Sequence, residues 1–242
     1  MKNINGIWIG ICLIVCAGIL AGSYTYKYRV QNTVVVTGLG ETEFTSDLIV
    51  WRGWIVAEDY DMVKGYAQIE RSKKKVFDYI TAKGIDSSAV VFQFVNVNKQ
   101  YESLYAEDGR YAGQRFTGYQ LRQEFCVESK DVDAVENVSR EISSLIAQGV
   151  QLEVMQPDYY YTKLDDVKLS LIEKATADAR SRAEKIASQS GGKLGKLTSA
   201  KMGVFQITGA NTNEEYTAGG SFNTFSRNKK ARITMKLEYR VK

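Results

Sequence analysis

Side-chain catalysis starts from a short list of groups, and this chain of 242 residues lacks the most versatile of them: it has no histidine. That removes imidazole acid–base chemistry, His-assisted Ser or Cys nucleophiles and imidazole metal ligation. Carboxylates, three cysteines, lysines and glycine-rich turns remain. Glu41/Glu43 and Asp165/Asp166 are neighbouring acids without a second acidic cluster, and they read as solvated strand and helix-start positions. No loop has the alternating oxygen-ligand spacing that calcium needs. Val36-Thr37-Gly38-Leu39-Gly40 offers Gly-x-Gly after a strand. However, Glu43 fills the third fingerprint position and a strand follows where a helix is required, so the glycines read as a bulge or tight bend. The run Ser190-Gly191-Gly192-Lys193-Leu194-Gly195-Lys196-Leu197 imitates a phosphate loop. It has Ser for the first Gly and Leu for the hydroxyl, and it follows a helix whose carbonyl end repels phosphate, so it is a cap and turn. The sequence thus supplies no catalytic residue, no cofactor-binding residue and no metal ligand set.

Cys12 and Cys16 lie in an apolar N-terminal run, leaving Cys126 alone in the rest of the chain, where no internal disulfide can form. A lone Cys on an alternating strand reads as a buried small apolar residue, with a reactive or intermolecular thiol as the alternative. Lys73-Lys74-Lys75 and Lys229-Lys230 are short and interleaved with acids, and read as a solvated helix face and a strand edge; contact with anionic headgroups is the other option. A net charge of +4 is too small for a nucleic-acid footprint. Fifteen tyrosines read mostly as half-buried sheet residues, with oligomer contacts as the functional alternative.

The elements that must position these residues follow from periodicity. Hydrophobic residues at 44% exclude wholesale disorder. Residues 34–45 and 47–57 read as strands. Asp59 and Asp61 are N-cap candidates for a helix to about Lys83 with the stripe Met62, Tyr66, Ile69, Val76, Phe77 and Ile80, ended by Gly84. Residues 89–98 and 115–128 form a hairpin whose long connection, 99–114, extends the strands or meets a neighbour. In its second strand Tyr119, Leu121, Phe125 and Val127 share one face. A second helix, 131–148, buries Val132, Val135, Val138, Ile142, Leu145 and Ile146 and stops at Gly149. A strand at 150–155 follows. Thr162 and Asp165 form a capping box opening a helix over 164–189. That helix carries an alanine ridge at 175, 179, 183 and 187, and Gly191-Gly192 stops it. Final strands are expected at 196–208 and 230–242, with a polar, mobile segment at 209–229. The fold class is therefore α+β: antiparallel or mixed sheets packed by about three helices, in two interleaved α/β halves, as one domain over 33–242.

Residues 1–28 are expected to be a transmembrane anchor. From Asn3 to Tyr26 there is no charged side chain, and Gly6 to Gly22 spans about 26 Å, close to a bilayer's hydrocarbon thickness. Trp8 and Tyr24, Tyr26 and Tyr28 flank it like interfacial belts. The competing reading is a signal peptide cut near Ala21-Gly22-Ser23. Lys2 favours a cytoplasmic N-terminus while Lys27 and Arg29 oppose it. The short tail tips the balance toward a large domain outside the cytoplasm.

Several segments together resemble the SIMPL-domain family. They are the opening Val36-Thr37-Gly38-Leu39-Gly40, the strand Phe116-Thr117-Gly118-Tyr119-Gln120-Leu121, and the Ala-rich helix Lys174–Ala187 continuing into Gly191-Gly192-Lys193-Leu194-Gly195. The resemblance covers about 34–242; Ser46-Asp47 departs from the Pro-Asp of many members. It implies a periplasmic or cell-surface envelope protein of poorly defined biochemistry; joined to the expected anchor, this places the chain in a bacterial inner membrane, spanning once, with its large domain in the periplasm. Some members are linked to oxidative-stress defence and some form ring-like or channel-like homo-oligomers. The family has no accepted catalytic residues to transfer. The expected function is therefore a non-catalytic, membrane-anchored homo-oligomer, with no cofactor and no nucleic-acid partner. The alternatives are a small-ligand or lipid-binding module with a pocket between sheet and helices, and a thiol or redox protein using Cys126.

Overall fold

The computed structural model describes residues 4–28 and 32–242, and within the first helix the side chains of Trp8 and of residues 10–25. The helices are α1 (Ile4–Tyr28), α2 (Met62–Ala82), α3 (Val132–Glu141) and α4 (Leu164–Gln189). The strands are β1 (Thr33–Thr45), β2 (Leu48–Asp59), β3 (Val90–Tyr105), β4 (Tyr111–Ser129), β5 (Gln151–Val154), β6 (Asp158–Tyr160), β7 (Leu194–Met202), β8 (Gln206–Gly209) and β9 (Asn228–Val241). The fold is α+β with two antiparallel sheets. One has the order β1-β9-β7 with β8 also on β9; the other has the order β3-β4-β2-β5 with β6 also on β2.

In α1 the apolar residues from Ile11 to Leu20 are exposed. Among the described residues no helix is long and apolar enough to cross a membrane. Lys2 and Arg29 lie outside the described residues, as do the side chains of Tyr26, Lys27 and Tyr28.

The chain divides into two compact units. One holds residues up to Leu39 together with 175–203 and 234–242; the other holds 40–174 and 204–233. The first is built around the alanine ridge. Ala175, Ala179, Ala183 and Ala187 are fully buried, as is Leu237 of β9, and Tyr239 of the same strand is buried. A Cβ at Gly38 would sit 2.1 Å from the Ala175 carbonyl oxygen and 2.4 Å from the Ala179 nitrogen. Gly38 therefore marks a close strand–helix approach, and neither Gly38 nor Gly40 has positive φ. The Asp178 carboxylate adds a tie by accepting the Leu39 N–H at 2.9 Å and pairing with Arg182 at 2.9 Å. Gly191, at φ +76°, ends α4, and the Gly192 N–H donates to the Ala187 carbonyl, as a glycine C-cap does.

In the second unit α2 and α3 cover one face of the five-stranded sheet. Asp61 caps α2 by accepting the Val63 and Lys64 N–H groups, and Gly84, at φ +88°, ends it. Ile69, Val76 and Ile80 meet Trp51, Ile55, Leu121 and Phe125 in the core. Met62 and Tyr66 do not join this stripe. Both are exposed, because the first turn of α2 meets the sheet through Gly65, whose added Cβ would lie 2.5 Å from Leu121.

The second helix ends differently from expectation. α3 stops at Glu141 and residues 142–148 wind as a 3₁₀ segment. Three residues per turn keep Ile142 and Leu145 in line and rotate Ile146 into solvent.

Two further expectations are corrected. Thr162 donates its hydroxyl to Asp47 at 2.6 Å and its N–H at 2.7 Å, so it braces two segments instead of forming a capping box, and α4 begins at Leu164. The strand expected over 196–208 is two, β7 and β8, separated at Gly203-Val204-Phe205. The break coincides with the close approach of Gly203 to Thr234, whose Oγ1 would lie 2.3 Å from an added Cβ.

Candidate interaction surface

β3 and β4 form the longest hairpin of the molecule, paired from Val90–Val127 to Tyr105–Tyr111. A strand of 16 residues reaches about 50 Å, well beyond the core. The long connection extends the strands, as one of its two expected readings had it, and is closed by the turn 106–110 with Gly109 at φ +79°. Tyr101 through Ala112 are exposed. This distal part is a two-stranded ribbon without a covering layer. Isolated ribbons of this kind are marginal in water, and aromatic contacts reinforce this one. Phe116 meets Tyr119 at 5.2 Å, Tyr101 at 5.7 Å and Tyr60 at 6.1 Å, and Tyr105 meets Tyr111 at 6.3 Å.

β3 is also the edge of its sheet. Its outward-facing apolar side chains include Val91, Phe94 (80% exposed), Val97, Tyr101, Leu104 and Tyr105 (67%). A long edge strand with apolar side chains is a template for pairing with another chain. Register shifts at Phe92/Val95, Gln100/Tyr101 and Leu104/Tyr105 interrupt the strand without covering it.

The residues with chemical potential are placed elsewhere and are not gathered together. Glu41 pairs with Lys230 at 3.1 Å and Arg232 at 3.3 Å, while Asp165 pairs with Lys168 at 3.0 Å. Among the described residues no group of three or more Cys, Asp or Glu is placed to hold a metal ion. Cys126 is not the buried core residue expected. It points away from the core between the buried Phe125 and Val127, and is half-exposed. Partial burial pushes its thiol pKa up, against the pull of Arg52, which suppresses the thiolate that nucleophilic chemistry requires. Lys73 pairs with Glu70 and lies over the Phe92 ring, while Lys75 donates to the Gln148 carbonyl.

Two placements could not be foreseen from residue type. Lys229 is not a solvated strand edge but is 2% exposed, continuing the inward positions of β9. Its ammonium donates to the Asn223 carbonyl, and burial pushes its pKa down to about 8 despite the attraction of Glu214 and Asp158. The segment 209–229, expected to be mobile, is folded back on β8 and tied there. Ile207 exchanges backbone bonds with Ser221 and Asn223, the Gln206 amide bonds the Thr217 and Ser221 backbones, and Asn223 donates to Glu214. The signal for Lys229 was present: extending the alternation of Ala231, Ile233 and Met235 backward by one step puts it on the inner face.

Comparison with known proteins gives one finding of kind. No curated protein matches the chain. The model of the SIMPL family, described as a protein of unknown function (DUF541), matches residues 34–239, from the second residue of β1 to near the end of β9. The match takes in every element described after α1, and the chain belongs to the SIMPL family.

Proposed function

We propose that the chain is a non-catalytic, membrane-anchored envelope protein that assembles with copies of itself through the β3–β4 hairpin. The observation that carries this reading is the long β3 edge, which presents Phe94, Val97, Tyr101, Leu104 and Tyr105 and is exposed on both faces in its distal ribbon. Pairing β3 edges satisfies the unpaired backbone groups and removes these side chains from water. The proposed anchor is α1, whose sequence carries no charge from Asn3 to Tyr26 and whose 25 residues extend about 37 Å. The proposed location is the bacterial inner membrane, with residues 33–242 outside the cytoplasm. The non-catalytic part rests on acids engaged in ion pairs and a thiol pushed away from ionisation. The proposed setting is envelope stress, on the strength of the family resemblance alone.

Light scattering on the full chain in neutral detergent tests assembly. The wild type is expected to run as a discrete oligomer, and Val97→Lys with Tyr101→Lys as a monomer. A monomeric wild type at micromolar concentration removes the proposal. Extraction of cell membranes by alkaline carbonate tests the anchor, which predicts retention in the pellet. A deletion strain with normal peroxide tolerance removes the stress setting.

A further inference from the structure

A cavity of about 360 Å³ opens beside α2, with Gln68, Arg71, Ser72, Lys75 and Gln151 among its lining. The four α2 residues stand at i, i+3, i+4 and i+7, one stripe of the helix next to the core stripe of Ile69, Val76 and Ile80. The opposite wall comes from Val56 of β2 and from Gly149, the left-handed residue that stops the 3₁₀ segment. Two cations line this cavity, and no carboxylate does.

Most arginines among the described residues are paired. Arg52, Arg115, Arg122, Arg140, Arg182 and Arg227 each hold a carboxylate. Arg71 has no ion pair among the described residues. Lys75 donates one N–H to the Gln148 carbonyl at 2.7 Å; this fixes its ammonium at the rim and leaves two donors. Asp59 stands behind Gln68, and its carboxylate is occupied by the Gln68 amide at 3.0 Å and the Asp61 N–H at 2.9 Å. Glu58 and Glu153 line the neighbouring cavity along β5, so the Arg71–Lys75 end is the one that favours an anion.

We propose that this cavity binds a phosphate group, held by the Arg71 guanidinium fork, the Lys75 ammonium, and the Ser72 hydroxyl. A phosphate offers at least three acceptor directions and up to two negative charges, matching two cations and a hydroxyl better than a carboxylate does. The group is carried either by a free phosphate or by a phospholipid headgroup. This site is separate from the hairpin and does not rest on assembly.

Calorimetric titration of the full chain in neutral maltoside detergent tests it with two probes, inorganic phosphate and dihexanoyl-phosphatidylglycerol below its micellar concentration. Saturable binding of one probe or both is expected, with inorganic phosphate reporting a free anion and the lipid alone reporting a headgroup. Arg71→Gln and Lys75→Gln are each expected to weaken binding about tenfold or more. Lys74→Gln, an exposed lysine of the same helix outside the cavity, is expected to leave it unchanged. All three substitutions are at surface positions, and a thermal melt of each confirms folding. No heat from either probe at millimolar concentration overturns the proposal. So does a loss as large in Lys74→Gln as in Arg71→Gln, or binding that survives the Arg71→Gln, Lys75→Gln double variant.

Discussion

The buried ammonium of Lys229 makes the stability of this protein depend on alkaline pH, and Lys229→Met isolates the effect. In the folded chain the pKa falls from 10.5 to about 8, which at neutral pH corresponds to roughly 3 kcal/mol of penalty for keeping the group charged. Because the folded value is the lower one, the unfolded chain binds more protons between pH 8 and 10.5. Stability therefore rises with pH across that window, and the penalty is present in full below it. Between pH 7 and 9.5 the wild type is expected to gain about 2 kcal/mol from this group. The assay is urea unfolding followed by tryptophan fluorescence, since Trp51 is buried in the same unit. Cys126 and Tyr159, whose pKa values burial raises, oppose the rise at the upper end but are common to both proteins and cancel in the difference. Lys229→Met also leaves the Asn223 carbonyl without its donor, which offsets its curve by a constant, so the slope is the readout. Parallel curves for wild type and variant would refute the account of Lys229 as a desolvated charge.

Other consequences are open to direct measurement. Gly38→Ala is expected to destabilise by about 1–3 kcal/mol or more in a thermal or urea melt, since its methyl group meets backbone atoms of α4 that cannot turn aside; an unchanged midpoint contradicts the close approach. Gly65→Ala is expected to cost less, because the Leu121 side chain it meets can rotate. Thr162→Val removes the hydroxyl bond to Asp47 and is expected to cost about 1 kcal/mol, read by the same melts. Cys126 is expected to react with a disulfide reagent at pH 7.4 more slowly than a free thiol, since desolvation reduces its thiolate fraction; a rapid burst assigned to Cys126 sinks that reading.

Much of the fold was legible where one period ran without interruption. The alanine ridge of α4, the stripe Ile69–Val76–Ile80 and the alternation of β9 each reappear as buried faces, because spacing alone decides which side meets the core. Legibility failed where the period changed or a distant partner intervened. Ile146 left its stripe when the helix tightened to three residues per turn, and Thr162 was taken by Asp47, a residue 115 positions away. Glu214 and Asn223 look like solvent-facing residues of a polar loop, yet with Gln206 of β8 they satisfy backbone and side-chain groups that fold the loop down. The distal ribbon was only half visible: the length of 99–114 suggested extended strands, but its residues follow no clean alternation, so only strand pairing shows where the edge lies. Lys75 read as part of the basic run Lys73–Lys75 and Arg71 carried no signal of its own, because the opposite wall of their cavity comes from β2 and Gly149.

The central claim is that copies of the chain meet along the β3 edge. A benzophenone amino acid at position 97, introduced as Val97→benzoylphenylalanine in the full-length protein in native membranes, tests it most directly. Illumination is expected to trap a covalent dimer, and the same replacement at Val35, exposed on β1, is expected to give no crosslinked dimer. Equal crosslinking at both positions, or none at position 97, would contradict assembly through the hairpin.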